Sequence, residues 1–246
     1  GGMRWMPSAV ACRRLTMMNL WIETLLDWIY PRQCLMCGRL LTVEERHICL
    51  PCLMDLPRTT FHLHPENLME ERFRGIFPLE RTAALFLYEK GAAVCNIIYS
   101  LKYHDQPDIG VFFGRLLAWD ILDSGFFEGI DCIIPVPLAP GRLRERGYNQ
   151  AAMIARGVSS KTGIPVLETR LVRTRENPTQ TRQSVRGRFE NAERLFEVRH
   201  PEELAGKHVL LVDDVVTTGA TIRACADALM ACPGIRFSVL SLGCTY

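Results

Sequence analysis

A chain of 246 residues with a formal net charge of +2 is long enough to bury one sizeable core and carry a small appendage, and too evenly balanced for its overall charge to name a partner. Its basic residues are unevenly chosen and placed: 25 of the 29 are Arg, and residues 141–188 hold ten Arg and one Lys against three Glu, a local excess of +8. Arg presents a rigid five-donor fork suited to phosphate, where Lys is nearer a point charge; a solvated Arg-rich face is the plainer alternative. No apolar run approaches the ~18 residues of a spanning helix, so no membrane span is expected. The opening GGMRWM reads as a cloning scar or ragged start, the following RRLTMMNLWIETLL lacks a signal-peptide cleavage site, and a cytoplasmic location is expected.

The first element in chain order is a helix: Leu20, Trp21, Leu25, Trp28 and Ile29 recur at helical spacing, Asn19 can cap it and Pro31 fits its end. Two C-x-x-C pairs follow, Cys34 with Cys37 and Cys49 with Cys52, eleven residues apart. Each pair can offer two thiolates to one ion. Four sulfur ligands in a closed tetrahedral site favour structural zinc, with iron–sulfur as the minor alternative. Two unrelated disulfides or four free core cysteines are the competing reading; a reducing compartment disfavours the first. His47 is near enough to suggest a mixed Cys/His shell, but four cysteines already fill it. Cys12, Cys95, Cys132, Cys225, Cys232 and Cys244 show no ligand spacing and read as small buried hydrophobes.

After a polar, poorly periodic connector over 62–78, residues 83–88 read as a strand, 92–101 as a helix with Lys102 at its C-terminal end, and 109–122 as a second helix. A cation at a helix C-terminus suits the dipole, which is the plain account of Lys102. Residues 132–134 form a short buried strand entering Pro135, Val136, Pro137 and Leu138. Two prolines at alternate positions end any central ladder there. A turn, GRLRERGYNQ, brings Arg142, Arg144 and Arg146 at i, i+2, i+4, as phosphate ligands or as a solvated rim, and a helix follows over 149–160. A strand is expected over 166–172, then a polar, Arg-rich loop over 173–191, a short strand over 195–198, and strands over 209–212 and 237–242. Strands alternating with helices imply an α/β fold, a mostly parallel sheet with helices on both faces. The ligand in such a sheet sits beyond the carboxyl ends of the strands.

The most informative stretch is VLLVDDVVTTGAT, residues 209–221. A buried strand ends in the carboxylates Asp213 and Asp214, then runs through Val215 and Val216 into a Thr217-Thr218-Gly219-Ala220-Thr221 loop ahead of a helix over 222–230. Backbone N–H groups and hydroxyls at a helix N-terminus form a phosphate seat. An ordinary capped turn leaves the acidic pair unexplained.

This stretch resembles the phosphoribosyl-pyrophosphate (PRPP) signature of type I phosphoribosyltransferases. Together with the Cys34–Cys52 knuckle, LKYHD at 101–105, IPVPLAPGRLRERGYNQA at 134–151 and RTRENPTQTRQSVRGRFEN at 173–191, it makes the chain similar over residues 19–244 to the ComF/GntX family. These competence-associated proteins join a four-cysteine zinc finger to a phosphoribosyltransferase domain. Family members more often carry Gly where this chain has Asp105. The resemblance implies a helix and zinc finger over 19–60 and a type I phosphoribosyltransferase-like domain over 79–246.

It also implies roles. Asp213 and Asp214 hold the ribose hydroxyls, directly or through metal-bound water, and residues 217–221 hold the 5′-phosphate. Pro135 to Leu138, with Arg142 and Arg146, face the pyrophosphate. Arg182, with Arg173, Arg175, Arg186 and Arg188, belongs to a closing basic loop. Lys102 joins the cofactor-binding set, and magnesium accompanies PRPP. Phosphoribosyl transfer needs charge neutralisation, positioning and exclusion of water rather than a Ser/His/Asp triad. No base-reading group is evident over 62–105, so the acceptor is left open. The alternative is a non-catalytic PRPP sensor or single-stranded DNA-binding protein in transformation, with Tyr99, Tyr103, Tyr148 and Phe189 as stacking platforms. A competence helicase is a partner implied by resemblance alone.

Overall fold

The computed structural model describes residues 32–103, 106–174 and 195–246, in two compact units, Gly1–Asp55 and Leu56–Tyr246. The expected helix over residues 20–29 lies outside the described residues. The second unit is built on a four-stranded parallel sheet in the order β1-β6-β5-β2, with β1 at Leu79–Leu87, β2 at Cys132–Pro135, β5 at His208–Val216 and β6 at Arg236–Cys244. Side chains alternate across it. Cys132, Ile134, Val209, Leu211, Phe237 and Val239 pack on one face with helix α7, Ala220–Leu229, through Ile222, Cys225 and Leu229. The intervening positions Ile133, Leu210, Val212 and Leu240 are equally buried and serve the opposite face.

That opposite face is covered by α4 (Pro107–Ile121) and α6 (Gln150–Thr162). The two helices meet through glycine. A Cβ at Gly114 would lie 2.3 Å from the Ile154 carbonyl oxygen, and one at Gly157 would lie 2.4 Å from that of Val111. Small residues therefore set the helix separation, and with it the position of the α6 N-terminus beside the strand ends. Helix α3, Cys95–Tyr103, precedes α4 and buries Ile97, Ile98 and Leu101.

Three sequence readings are corrected. The connector over 62–78 is part of the core: Asn67 caps a short helix α2, Leu68–Glu71, by accepting from the backbone N–H of Met69 and Glu70, and Met69, Phe73 and Phe77 are buried. Its apolar residues are too few and too irregular to show a period. The strand expected over 166–172 divides: Val166 makes one parallel bridge to Ile133, while β3, Leu171–Arg173, pairs antiparallel with β4, Phe196–Val198, in a separate ribbon. The turn after β2 is helical, α5 over Pro140–Arg146, opened by Pro140 and closed by Gly147 at φ 75°. A proline in the first turn and a left-handed glycine past the end are ordinary helix boundaries. The 13-residue α6 that follows has Asn149 as its N-cap.

The α4–α6 contact yields a direct test. Gly114→Ala should destabilise the protein by roughly 1–3 kcal/mol through overpacking, with Gly110→Ala and Gly157→Ala behaving alike and Gly163→Ala, whose added Cβ meets nothing within 4 Å, leaving that contact intact. Equilibrium urea denaturation reads the difference.

Candidate functional site

In the first unit the residues between the cysteine pairs fold back as a knuckle. The Gly38 N–H donates to the Cys34 carbonyl at 2.9 Å, the Cys34 N–H to that of Arg39 at 2.8 Å, and Gly38 takes φ 75° to complete the turn. Glu45 accepts from the backbone N–H of Thr42 and Leu50 at 2.9 and 2.7 Å, tying the two halves of the knuckle together. Helix α1, Leu50–Met54, starts directly after Cys49. The sulfurs of Cys34, Cys37, Cys49 and Cys52 all lie within 4.8 Å of one another, and those of Cys37 and Cys49 are 3.7 Å apart. A tetrahedral ion with metal–sulfur bonds of ~2.3 Å needs sulfurs ~3.8 Å apart. Burial alone would raise the Cys34 thiol, but backbone N–H groups of Cys37, Cys49 and Met36 outweigh it and hold the group at about 6. The set fits a tetrahedral metal whose shell is complete without solvent.

The second site follows from unequal strand lengths. β2 pairs with β5 as far as Pro135 opposite Val212, and β5 continues through Val216. Beyond that point the chain leaves β2 through Val136, Pro137 and Leu138 into α5, opening a cleft of about 350 Å³. Asp213, Asp214, Val215, Thr217 and Thr221 line it from β5 and the segment after it, and Val136, Pro137, Leu138, Arg142 and Arg146 line it from the chain after β2 and α5; Lys102, Tyr88 and Arg173 also line it. Because α5 is helical, Arg142 and Arg146 are one turn apart and share a face; Arg144 is not among the lining residues.

Two known families match separate stretches of this chain. The Phosphoribosyl transferase domain matches residues 113–237 and the Double zinc ribbon domain matches residues 25–62. "DNA utilization protein YhgH" of Shigella flexneri is 30% identical over 200 residues, covering 80% of this chain and 83% of that protein. The chain belongs to the ComF/GntX family. Other relatives are "Competence protein ComFC" of Bacillus subtilis, 24% identical across 80% of this chain and 71% of that protein, and "Competence protein F" of Haemophilus influenzae, 32% identical across 54% and 60%.

Of the residues that the ComF/GntX resemblance singled out, the cleft gathers Lys102, Val136, Pro137, Leu138, Arg142, Arg146, Asp213, Asp214, Val215, Thr217 and Thr221. Pro135 stays in the sheet opposite Val212, and Val216 is buried. Thr218 turns its hydroxyl to the Ala220 N–H at 3.4 Å, and Gly219 takes φ 76° as the N-cap of α7. A Cβ at Gly219 would meet the Phe73 ring at 2.6 Å, so the position is closed to side chains on both grounds. Arg175, Arg182, Arg186, Arg188, Phe189 and Asp105 lie outside the described residues.

The helix-dipole account of Lys102 is incomplete. Its Nζ reaches Asp214 Oδ2 at 3.0 Å, with both side chains largely shielded from solvent. Tyr148 is tied into the fold, its hydroxyl donating to the Leu101 carbonyl at 2.6 Å.

Gln150 and Tyr88 were not singled out from sequence, whereas Asn149 reads there as a helix cap and Arg173 as part of the basic loop. Asn149 both accepts from the Ala151 N–H and donates to the Val136 carbonyl at 3.0 Å, pinning the cleft wall to α6. Gln150, 1% exposed, accepts from Arg146 Nη1 at 3.0 Å. Arg173 leans on the Phe196 ring, 5.4 Å from its centroid. The Asn-Gln pair directly after the arginines was a usable signal; Tyr88 had none.

Charge is unequally tolerated at the acidic end. Burial on the cleft floor and the adjacent Asp214 push Asp213 up to about 8, against the Asp214 N–H, which donates to Asp213 Oδ1 at 2.8 Å, and the Lys102 and Arg173 cations. Between the ordinary aspartate value and about 8, the folded chain holds a proton that the unfolded chain gives up. The associated stability is complete below that window and is lost as pH rises through it. Asp213→Asn should flatten this loss and leave the variant roughly 1–2 kcal/mol more stable than wild type at about pH 9, once solvent screening is allowed for. Thermal melts across that range read the slope.

Proposed function

We propose that the cleft binds PRPP or a related ribose phosphate, and that the chain transfers phosphoribose to an acceptor. The carrying observation is that one cavity gathers acids and hydroxyls from β5 and its loop together with arginines from α5. A ribose diphosphate ester has the same polarity. Its sugar hydroxyls donate to carboxylates, and its phosphates accept from N–H groups, hydroxyls and guanidinium forks. In this reading the 217–221 loop takes the 5′-phosphate, Asp213 and Asp214 take the ribose, and Arg142 and Arg146 take the diphosphate with the backbone of residues 135–138. Arg182 is assigned to the closing basic loop.

Transfer breaks the bond from ribose C1 to the diphosphate oxygen, which leaves with the electron pair, while the acceptor nucleophile bonds to C1. The arginines stabilise the departing charge. The acidic pair suits Mg²⁺, which when bound neutralises the diphosphate further. The four cysteines suit Zn²⁺ in a structural role, since no coordination position is left open.

A second reading is supported by a separate feature. Tyr99 and Tyr103, each 57% exposed, pack with ring centroids 4.9 Å apart and planes tilted by 41°, and the Arg146 guanidinium lies 5.4 Å from the Tyr103 centroid. Exposed aromatic rings beside arginines suit the bases and phosphates of single-stranded DNA. This surface could act with the cleft or replace it as the working part.

Calorimetry with PRPP and Mg²⁺ tests the first reading. Binding should require the metal and fall at least about tenfold in Asp214→Asn, about 1.4 kcal/mol; a wild-type protein that takes up no PRPP rules it out. For the second, Tyr99→Ala with Tyr103→Ala should weaken single-strand binding by roughly 1–3 kcal/mol per stacked base, and that binding should fall steeply with salt. DNA affinity indifferent to both changes would remove the surface from consideration.

A further inference from the structure

Arg72 lies in the segment that the sequence presents as a connector, and it is not among the residues lining the cleft. Its guanidinium nevertheless meets the phosphate-loop candidate from behind. Nη1 donates to the carbonyls of Val216, at 3.2 Å, and Thr217, and contacts Cys244 Sγ at 3.4 Å; Nη2 donates to the Thr245 carbonyl at 2.6 Å. The backbone of Arg72 is itself held, because Arg223 on α7 donates through Nε and Nη2 to the Arg72 carbonyl. The next residue, Phe73, packs against the bare α-carbon side of Gly219.

The consequence follows from peptide planarity. In a trans peptide the carbonyl of one residue and the N–H of the next point in opposite directions. Turning the Val216 and Thr217 carbonyls toward Arg72 therefore turns the Thr217 and Thr218 N–H groups away from it. Among the described residues neither N–H has a hydrogen-bond partner, and Thr217 lines the cleft. We infer that Arg72 is a positioning residue: it never touches the ligand, but presets two consecutive backbone donors as an anion nest. The inference rests on the ribose-phosphate reading for the identity of the anion, though not for the orientation of the amides. Lysine cannot replace this arginine, because a single ammonium does not reproduce the fork that spans two loop carbonyls and the chain end.

The test uses the full chain loaded with zinc. Ribose 5-phosphate and inorganic pyrophosphate are titrated separately into wild type and Arg72→Lys by calorimetry, and inorganic phosphate is titrated into ¹⁵N-labelled wild type. Arg72→Lys should lose about tenfold in affinity for ribose 5-phosphate while pyrophosphate, held at the Arg142–Arg146 wall, stays within about twofold. In wild type the Thr217 and Thr218 amide protons should move downfield together as phosphate is added.

Should Arg72→Lys fail to fold, Arg223→Gln loosens the same anchor from outside the loop and should weaken ribose 5-phosphate selectively. Equal loss of both ligands would reduce Arg72 to a general stabiliser, and unchanged ribose 5-phosphate affinity would remove its role. Wild-type amides that ignore phosphate would overturn the nest. If those amides respond while ribose 5-phosphate and PRPP do not bind, the ligand assignment fails, and the same phosphate titration on ¹⁵N-labelled Arg72→Lys decides the positioning role: a lost Thr217 and Thr218 response upholds it, and an unchanged response removes it.

Discussion

The site depends on a mismatch in strand length. β2 ends opposite Val212 because Pro135 and Pro137 cannot donate to a ladder, while β5 runs four residues further, to Val216. Beyond Val212, among the described residues, β5 is laddered to β6 alone, and its β2 side opens into the cleft. The acids line that cavity, and the departing β2 chain turns into α5, which contributes Arg142 and Arg146 to the same lining. One backbone constraint thus produces both the cavity and its polarity. The helices hold that geometry. Asn149 joins the cleft wall to α6, and α6 is seated on α4 through Gly114 and Gly157, so the arginine wall is referred to the core rather than to a surface turn.

The acidic wall is costly to maintain. Burial and the neighbouring Asp214 raise the proton affinity of Asp213, and Lys102, paired with Asp214, offsets part of the repulsion. Perturbed carboxylates of this kind cluster at functional sites. The arrangement differs from the knuckle, where backbone N–H groups and a complete sulfur shell satisfy Cys34 within the chain. One centre is closed by its own sulfurs, and the other opens into a cavity.

Much of this was legible in sequence because it is local. The cysteine spacing, the apolar run into Asp213–Asp214, the prolines after β2 and the cap at Asn149 are all short-range signals, and each marks the corresponding feature. What escaped is long-range or aperiodic. Met69, Phe73 and Phe77 enter the core from a stretch with no helical or strand period, and Arg72 acts on a loop more than a hundred residues away in sequence. Arg142, Arg144 and Arg146 were read with even spacing along a turn; helix α5 separates them into a pair that lines the cleft and one that does not. The strand expected over 166–172 failed for a related reason. Its apolar residues serve two sheets, and a break between them leaves no trace in a hydropathy pattern.

The β3–β4 ribbon has a further consequence for how such proteins can diverge. The Thr174 N–H donates to the Leu195 carbonyl at 3.0 Å, immediately outside the last ladder pair, Arg173 with Phe196. That bond closes the ribbon one residue beyond its ladder, so Arg173, which lines the cleft, sits at a braced strand end against the Phe196 ring. The ribbon is separate from the parallel sheet, so a substitution in β4 can move a cleft-lining cation without disturbing the strands that carry Asp213 and Asp214.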